Sequence, residues 1–363
     1  MDEHRAAALF ARTPGLTAED VRAALACADG LDGAAELIRA RGARPAHPRG
    51  RAVTEALLDH DLRWLETSGA VAVLCTSELY PARLAEAAEA PPVLYVLGDV
   101  RTLGARQVAM VGSRRATPAG LAIAHAMAAA FARAGIVVTS GLAIGIDAAC
   151  HEGALAASGT TLAVCAHGLD LIYPRQHRAL AQRIAESGAL VSRFPPGTPP
   201  ARWRFPARGR TLSALALATL VVEAARGSGS LHTAAAALQH GRPLYAVPGS
   251  IRSPVSAGCH ALLKRGAQIA ESAEDVLRGL DISLKNQASS GARPAARRTA
   301  DKVAPLDKAS EILLDALGFE PVSLNTLVER TGLPSGGIAS ALLALELAGR
   351  VAPQPGGRYS RLS

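Results

Sequence analysis

Between about residues 105 and 280, short apolar runs alternate with longer helical patterns, and this alternation narrows the possible folds more than any other feature. "QVAMVG", "GIVVTSG", "TTLAVCAHG", "GALVSRF", "ATLVVEA", "RPLYAVPG" and "AQIA" are nearly all continuous in apolar character. A strand with one wet face alternates polar and apolar residues. A strand without that alternation is buried on both faces, as in a parallel sheet covered by helices. "PAGLAIAHAMAAAFARAG" and "SLHTAAAALQHG" supply such helices and close on glycine. The expected fold is α/β, with a doubly wound parallel sheet.

The flanks read differently. Residues 1–45 predict short helices, "TAEDVRAALACA" and "GAAELIRA", the first opened by Thr17 with Asp20 three positions on, close to a capping box. "ARPAHPRGR" reads as a linker, and the α/β unit is drawn over 52–282, beginning with a helical "VTEALLDHDLRWLETSG" and a strand-like "AVAVLC". Residues 283–304 are polar, basic and rich in Pro, Gly and Ser, as in a flexible linker. Over 305–363, three helical patterns and a terminal hairpin predict a winged helix.

Several function classes are disfavoured. No apolar run approaches the ~20 residues that cross a bilayer, so no membrane span is expected. "MDEHRAAALF" has acids where a signal peptide carries bases. The expected location is cytoplasmic. The five cysteines form no CxxC pair and no zinc-like spacing, and Cys75 and Cys165 lie in apolar runs, so no metal and no cofactor is expected. A net charge of +8 favours polyanionic partners. All but four of the basic side chains are arginines, whose planar forks pair with phosphate and stack on flat rings.

In a doubly wound sheet, ligands bind at the carboxyl ends of the strands. Three loops there carry glycine: "MVGSRRATPAG" with Gly112, Ser113, Arg114 and Arg115; "TSGLAIGIDAACHEG" with Gly141; and "EAARGSGSLHTA" with Ser228, Gly229 and Ser230 at a helix entry. Open backbone amides at such a place receive phosphate. There is neither a GxGxxG fingerprint nor a GK[ST]. A second signal is "RFPPGTPPARWRFPARGR", residues 193–210, which interleaves Arg193, Arg202, Arg204, Arg208 and Arg210 with Phe194, Trp203 and Phe205. The chain has only five Phe, two Trp and five Tyr, so three aromatics in 18 residues is a concentration. Arginines for phosphates beside rings for bases describe a surface for single strands, with Trp203 and Phe205 as stacking candidates.

Catalytic patterns are scarce. Asp147 and His151 are four apart at a helix start and share a face, but an acid under the helix dipole and a hydrogen-bonded histidine explain them as well. Glu223, ending a buried strand, is either a catalytic carboxylate or an acceptor that orders neighbouring loops. The third helix of the tail, "SGGIASALLALELAG", has no Arg or Lys, which disfavours duplex reading through the major groove.

Taken together, "APPVLYVLGD", "VAMVGSRRAT", "SGLAIGIDAACHEGAL", "GTTLAVCAHGLDLIYPRQHRAL", "FPARGR", "VVEAARGSGSLHTA" and "YAVPGS" resemble the DNA-processing protein A family (DprA, also called Smf) from about Leu79 to Leu277. The resemblance implies an extended Rossmann-like core that binds single-stranded DNA, forms a homodimer and loads the recombinase RecA during natural transformation, shielding the DNA from nucleases. It implies no enzymatic turnover. It also implies a sterile-alpha-motif-like N-terminal domain and a winged-helix tail, both variable accessories. By position, the DNA pocket would use Gly112, Ser113, Arg114, Arg175, Arg208, Arg210, Ser228, Gly229 and Ser230. The family usually has Asn where this chain has Gly209, an acid where it has Arg193, and Asn where it has His260. The alternative is a nucleotide N-glycosidase on a related phosphate-binding core, with Glu223 as its carboxylate, although the PGGxGT signature of such phosphoribohydrolases is missing.

Overall fold

A computed structural model describes residues 2–41, 53–281, 308–317 and 321–362. The "ARPAHPRGR" segment and the 283–304 linker lie outside the described residues. Helices α1 (Glu3–Arg12), α2 (Ala18–Ala26), α3 (Gly30–Arg41) and α4 (Glu55–Ser68) precede β1 (Val71–Leu74), a short α5 (Ala82–Ala85) and β2 (Val93–Gly98). The capping box expected at Thr17 forms, with the Thr17 side chain and Asp20 each accepting from the other's backbone.

The α/β alternation then runs as β3 (Gln107–Val111), α6 (Pro118–Arg133), β4 (Val137–Ser140), α7 (Ile146–Ala156), β5 (Thr161–Cys165), α8 (Arg178–Ser187) and β6 (Ala189–Ser192). It continues through α9 (Arg204–Leu215), β7 (Ala218–Val221), α10 (Ser230–Gln239), β8 (Leu244–Ala246), α11 (Ala257–Leu263), β9 (Gln268–Ile269) and α12 (Ala273–Gly279). The strand order is β1-β2-β6-β5-β4-β3-β7-β8-β9. The seven strands from β3 onward are mutually parallel, whereas β2 runs antiparallel to both β1 and β6. Residues of β3 through β7 are almost all buried, as continuous apolar runs require.

The fold is the expected doubly wound α/β sheet, extended at one side by the antiparallel β2 and β1. "VLYVLG", which stands ahead of the strand–helix alternation in the sequence, forms β2. The first helices share its core: Phe10 and Val21 belong to the same buried cluster as Leu74, Leu94 and Leu190. "RFPARGR", part of the aromatic–arginine stretch that predicts a surface for single strands, carries no secondary-structure assignment from its sequence pattern. From Arg204 onward it is helical.

The tail folds as a winged helix. α13 (Lys308–Leu317), α14 (Leu324–Thr331) and α15 (Ser335–Leu347) pack around Leu313, Leu327, Ile338 and Leu342. Strands β10 (Val322–Ser323), β11 (Val351–Gln354) and β12 (Arg358–Arg361) form its sheet, in the order β10-β12-β11. No described helix is long and apolar enough to cross a membrane.

Candidate nucleic-acid interface

The sheet has one place where adjacent parallel strands send the chain to opposite sides. Ala109 of β3 pairs with Thr139 of β4 on one flank and with Thr219 of β7 on the other. From β3 the chain proceeds through α6 to β4. From β7 it proceeds through α10 to β8, on the other side of the sheet order. The divergence leaves a crevice at the carboxyl ends of β3 and β7. A cavity of about 870 Å³ opens there, lined by Gly112, Ser113, Arg114 and Arg115 after β3 and by Gly227, Ser228, Gly229 and Ser230 after β7.

Both loops leave backbone donors open. The Ser228 amide bonds to Ala225 and that of Leu231 to Ser228, completing the turn into α10. Among the described residues, the amides of Ser113, Arg114, Gly227 and Gly229 make no hydrogen bond. The Ser228 and Ser230 hydroxyls lie 2.7 Å apart at the mouth of α10. Free amides and the positive end of a helix dipole together favour an anion.

α9 contributes the cationic floor. Arg208 is buried and its Nη1 lies 3.6 Å from Asp147 Oδ2 at the start of α7. Burial pushes the Asp147 carboxyl up and the Arg208 guanidinium down, and their mutual attraction opposes both shifts. Gly141 is what makes room for this arrangement, since a Cβ at that position would overlap the Arg208 guanidinium. Phe205, one turn earlier on α9, also lines the cavity; the Arg114 guanidinium carbon stands 4.8 Å and that of Arg208 5.8 Å from its ring centre. Arg202 completes this wall. The result is a pocket with cations, open amides and one flat ring at close quarters.

Several expected residues go elsewhere. Arg210 does not line the cavity: it pairs with Glu89 at 2.6 Å, because positions two apart on a helix point to nearly opposite sides. Gly141 acts as packing space for Arg208 and does not line the cavity. Arg175 is exposed on the segment after β5, outside the cavity lining. Trp203 is 54% exposed and stacks under the Arg204 guanidinium at 4.3 Å, also off the lining. Arg193 is held near Arg210, Tyr80 and Glu89, and burial with the like charge of Arg210 lowers its pKa.

The acid–base candidates separate. His151 is fully buried with Nδ1 2.7 Å from Thr161 Oγ1; that hydroxyl donates to Val138 O, so the imidazole is the donor to it. Its Nε2 has no hydrogen-bond partner and burial lowers its pKa to about 3. It faces Thr161 while Asp147 faces Arg208, so the two are no acid–base pair. Glu223 accepts from the Thr117 amide at 2.9 Å and its hydroxyl at 2.6 Å, and is not part of the cavity lining. It therefore orders the loop after β3, the second of the two roles open to it.

The lining also includes Ala143, His232, Thr233, Pro254 and Val255, which the sequence did not mark. His232 and Thr233 follow Ser230 within α10. Pro254 and Val255 arrive from the segment after β8, 25 residues downstream of Gly229, and no local pattern announces that approach. Gly209 packs on Thr233, whose Oγ1 would be 2.7 Å from an added Cβ, so any larger side chain here must displace α10 or that hydroxyl.

Comparison with known proteins is consistent with these observations. Residues 72–281 match the family model of DNA recombination-mediator protein A, and residues 296–357 that of the DprA winged helix domain. Protein Smf of Escherichia coli (strain K12) is 38% identical over 307 residues, covering 84% of this chain and 81% of the relative. The X-ray structure of DNA processing protein A from Streptococcus pneumoniae is similar with a TM-score of 0.63 and 31% identity, covering 74% of this chain and 95% of that one. A structure of DNA processing protein A from Helicobacter pylori, described for its single-stranded DNA binding mode, gives 0.54 and 28%, covering 60% of this chain and 99% of that one. By sequence, by fold and by the ordered blocks along its core, the chain belongs to the DNA recombination-mediator protein A (DprA/Smf) family.

Proposed function

We propose that this chain binds single-stranded DNA in the cavity between the ends of β3 and β7 and passes it on chemically unaltered. Its recipient is the RecA recombinase, and the bound strand is shielded from nucleases during natural transformation. It works in the cytoplasm as a homodimer. The observation that carries the reading is the convergence of unbonded amides, the buried Arg208 and the Phe205 ring on one cavity. A backbone phosphate takes the amides and cations, and a base takes the ring. The Helicobacter pylori relative, studied for this binding mode, supports the same ligand class.

The N-glycosidase alternative has no observation in its favour, since Glu223 is committed to Thr117 outside the cavity lining. Anisotropy titrations of labelled single-stranded and duplex oligonucleotides at two salt levels test the proposal. Tighter single-strand binding is expected, with a log–log salt slope of about −0.7 for each phosphate neutralised. Equal or tighter duplex binding would overturn it. Free base released from nucleoside monophosphates, and lost in Glu223→Gln, would establish the enzyme instead.

A further inference from the structure

Phe205 is a poor sole platform for bases, because Arg114 already stands over its ring. The next aromatic along the rim is Tyr173, on the segment that follows β5. Its ring centre lies 6.3 Å from that of Phe205, tilted by 55°, and His167 supports it edge-on at 6.4 Å. Tyr173 is 43% exposed in a chain where Tyr80, Tyr95 and Tyr245 are buried. A half-exposed ring held by two others offers a face at little cost in side-chain entropy. Arg175, two residues on, is exposed and has no ion pair among the described residues. β7, β3, β4 and β5 are consecutive and parallel in the sheet, so their carboxyl ends form one continuous rim. From the amides after β7 and β3, this rim leads past Phe205 to Tyr173.

We propose that Tyr173 forms a second base-stacking position outside the cavity, beside Arg175, which the family resemblance already places among the DNA contacts. The proposal rests on the single-strand reading of the cavity. The strand crosses the rim from the mouth of α10 towards the β5 segment, with Phe205 and Tyr173 contacting successive bases. Stacking is indifferent to sequence, so this subsite adds affinity and no base preference.

The test compares the full chain with Tyr173→Ala and Tyr173→Phe on a normal single-stranded oligonucleotide and on one with consecutive abasic sites. Tyr173→Ala should weaken binding of the normal strand by about 5- to 150-fold, leave the abasic strand unchanged, and be rescued in Tyr173→Phe. Binding of the normal strand within twofold of the unaltered chain, or an equal loss on the abasic strand, overturns the subsite while leaving the cavity intact. If the unaltered chain binds neither strand, the functional reading fails and the subsite with it. A misfolded Tyr173→Ala does not block the decision, because photocrosslinking of a halogenated-base oligonucleotide to the unaltered chain reads the same contact. An adduct on Tyr173 supports the subsite, and adducts elsewhere alone contradict it.

Discussion

At the residue scale, the proposed grip on the strand depends on Gly141, Arg208 and Asp147 acting together. Gly141→Ala should drive the Arg208 guanidinium from its niche and lower single-strand affinity at least tenfold, whereas Gly227→Ala, whose Cβ meets open space, should fold normally. Anisotropy titration and thermal unfolding of both variants check this. A second expectation concerns acid. His151 is neutral when folded, with a pKa lowered to about 3 from an ordinary 6.5. The unfolded chain therefore binds a proton that the native state refuses. This group's share of stability is complete above pH 6.5 and is lost on acidification towards pH 3, with a slope approaching about 1.4 kcal/mol per pH unit. Denaturant unfolding between pH 7 and pH 4.5 should show this acid limb, and His151→Gln should flatten it. Legibility differed residue by residue. Gly112 to Arg115 and Ser228 to Ser230 directly follow continuous apolar runs, and glycine-bearing loops at the carboxyl ends of such strands are legible in the sequence. Arg210 stands off the cavity lining because "FPARGR" is helical, and two positions that count as neighbours in a loop point apart on a helix. Gly141 is legible in the sequence only as a loop glycine, while the space it leaves is taken by a side chain 67 positions away.

At the element scale, two polar ties hold the site's loops. Glu223, at the end of β7, receives both the amide and the hydroxyl of Thr117, the N-cap of α6, and so joins the two strands that frame the cavity. The other tie begins far off in sequence. Arg12 of α1 reaches the buried Asp61 of α4 through Nε at 2.6 Å and Nη2 at 2.5 Å, and Nη2 also donates to Pro196 O at 2.9 Å. Pro196 belongs to the segment that delivers Arg202 and Phe205. Breaking a buried ion pair on one side costs about 3–5 kcal/mol, so Arg12→Ala should lower stability by that order in denaturant titrations and weaken single-strand binding as well. The apolar runs made the parallel strands legible; "VLYVLG", an interior strand between β1 and β6, stands ahead of the strand–helix alternation and pairs antiparallel on both sides, which no local pattern announces, and a helix opening on prolines and arginines lacks a strong period.

At the scale of the whole molecule, the topology generates the site. The reversal of winding between β3 and β7 opens the crevice, and the parallel strands bring their loops to one rim. Alternating runs predict such a sheet, yet they do not give strand order, so the segment after β8, with Pro254 and Val255, arrived unannounced. The winged helix presents Leu343 and Leu347 on α15 to solvent. In the proposed binding mode the cationic side of α9 and the loop after β3, and not the opposite side of α9, grip the strand. The most direct measurement is the salt dependence of single-strand affinity for the unaltered chain, Arg114→Ala and Arg210→Ala. Arg114→Ala should weaken binding and reduce the log–log salt slope by about 0.7, while Arg210→Ala should stay within twofold of the unaltered chain. Equal losses in both variants, or an unchanged slope in Arg114→Ala, would contradict the account.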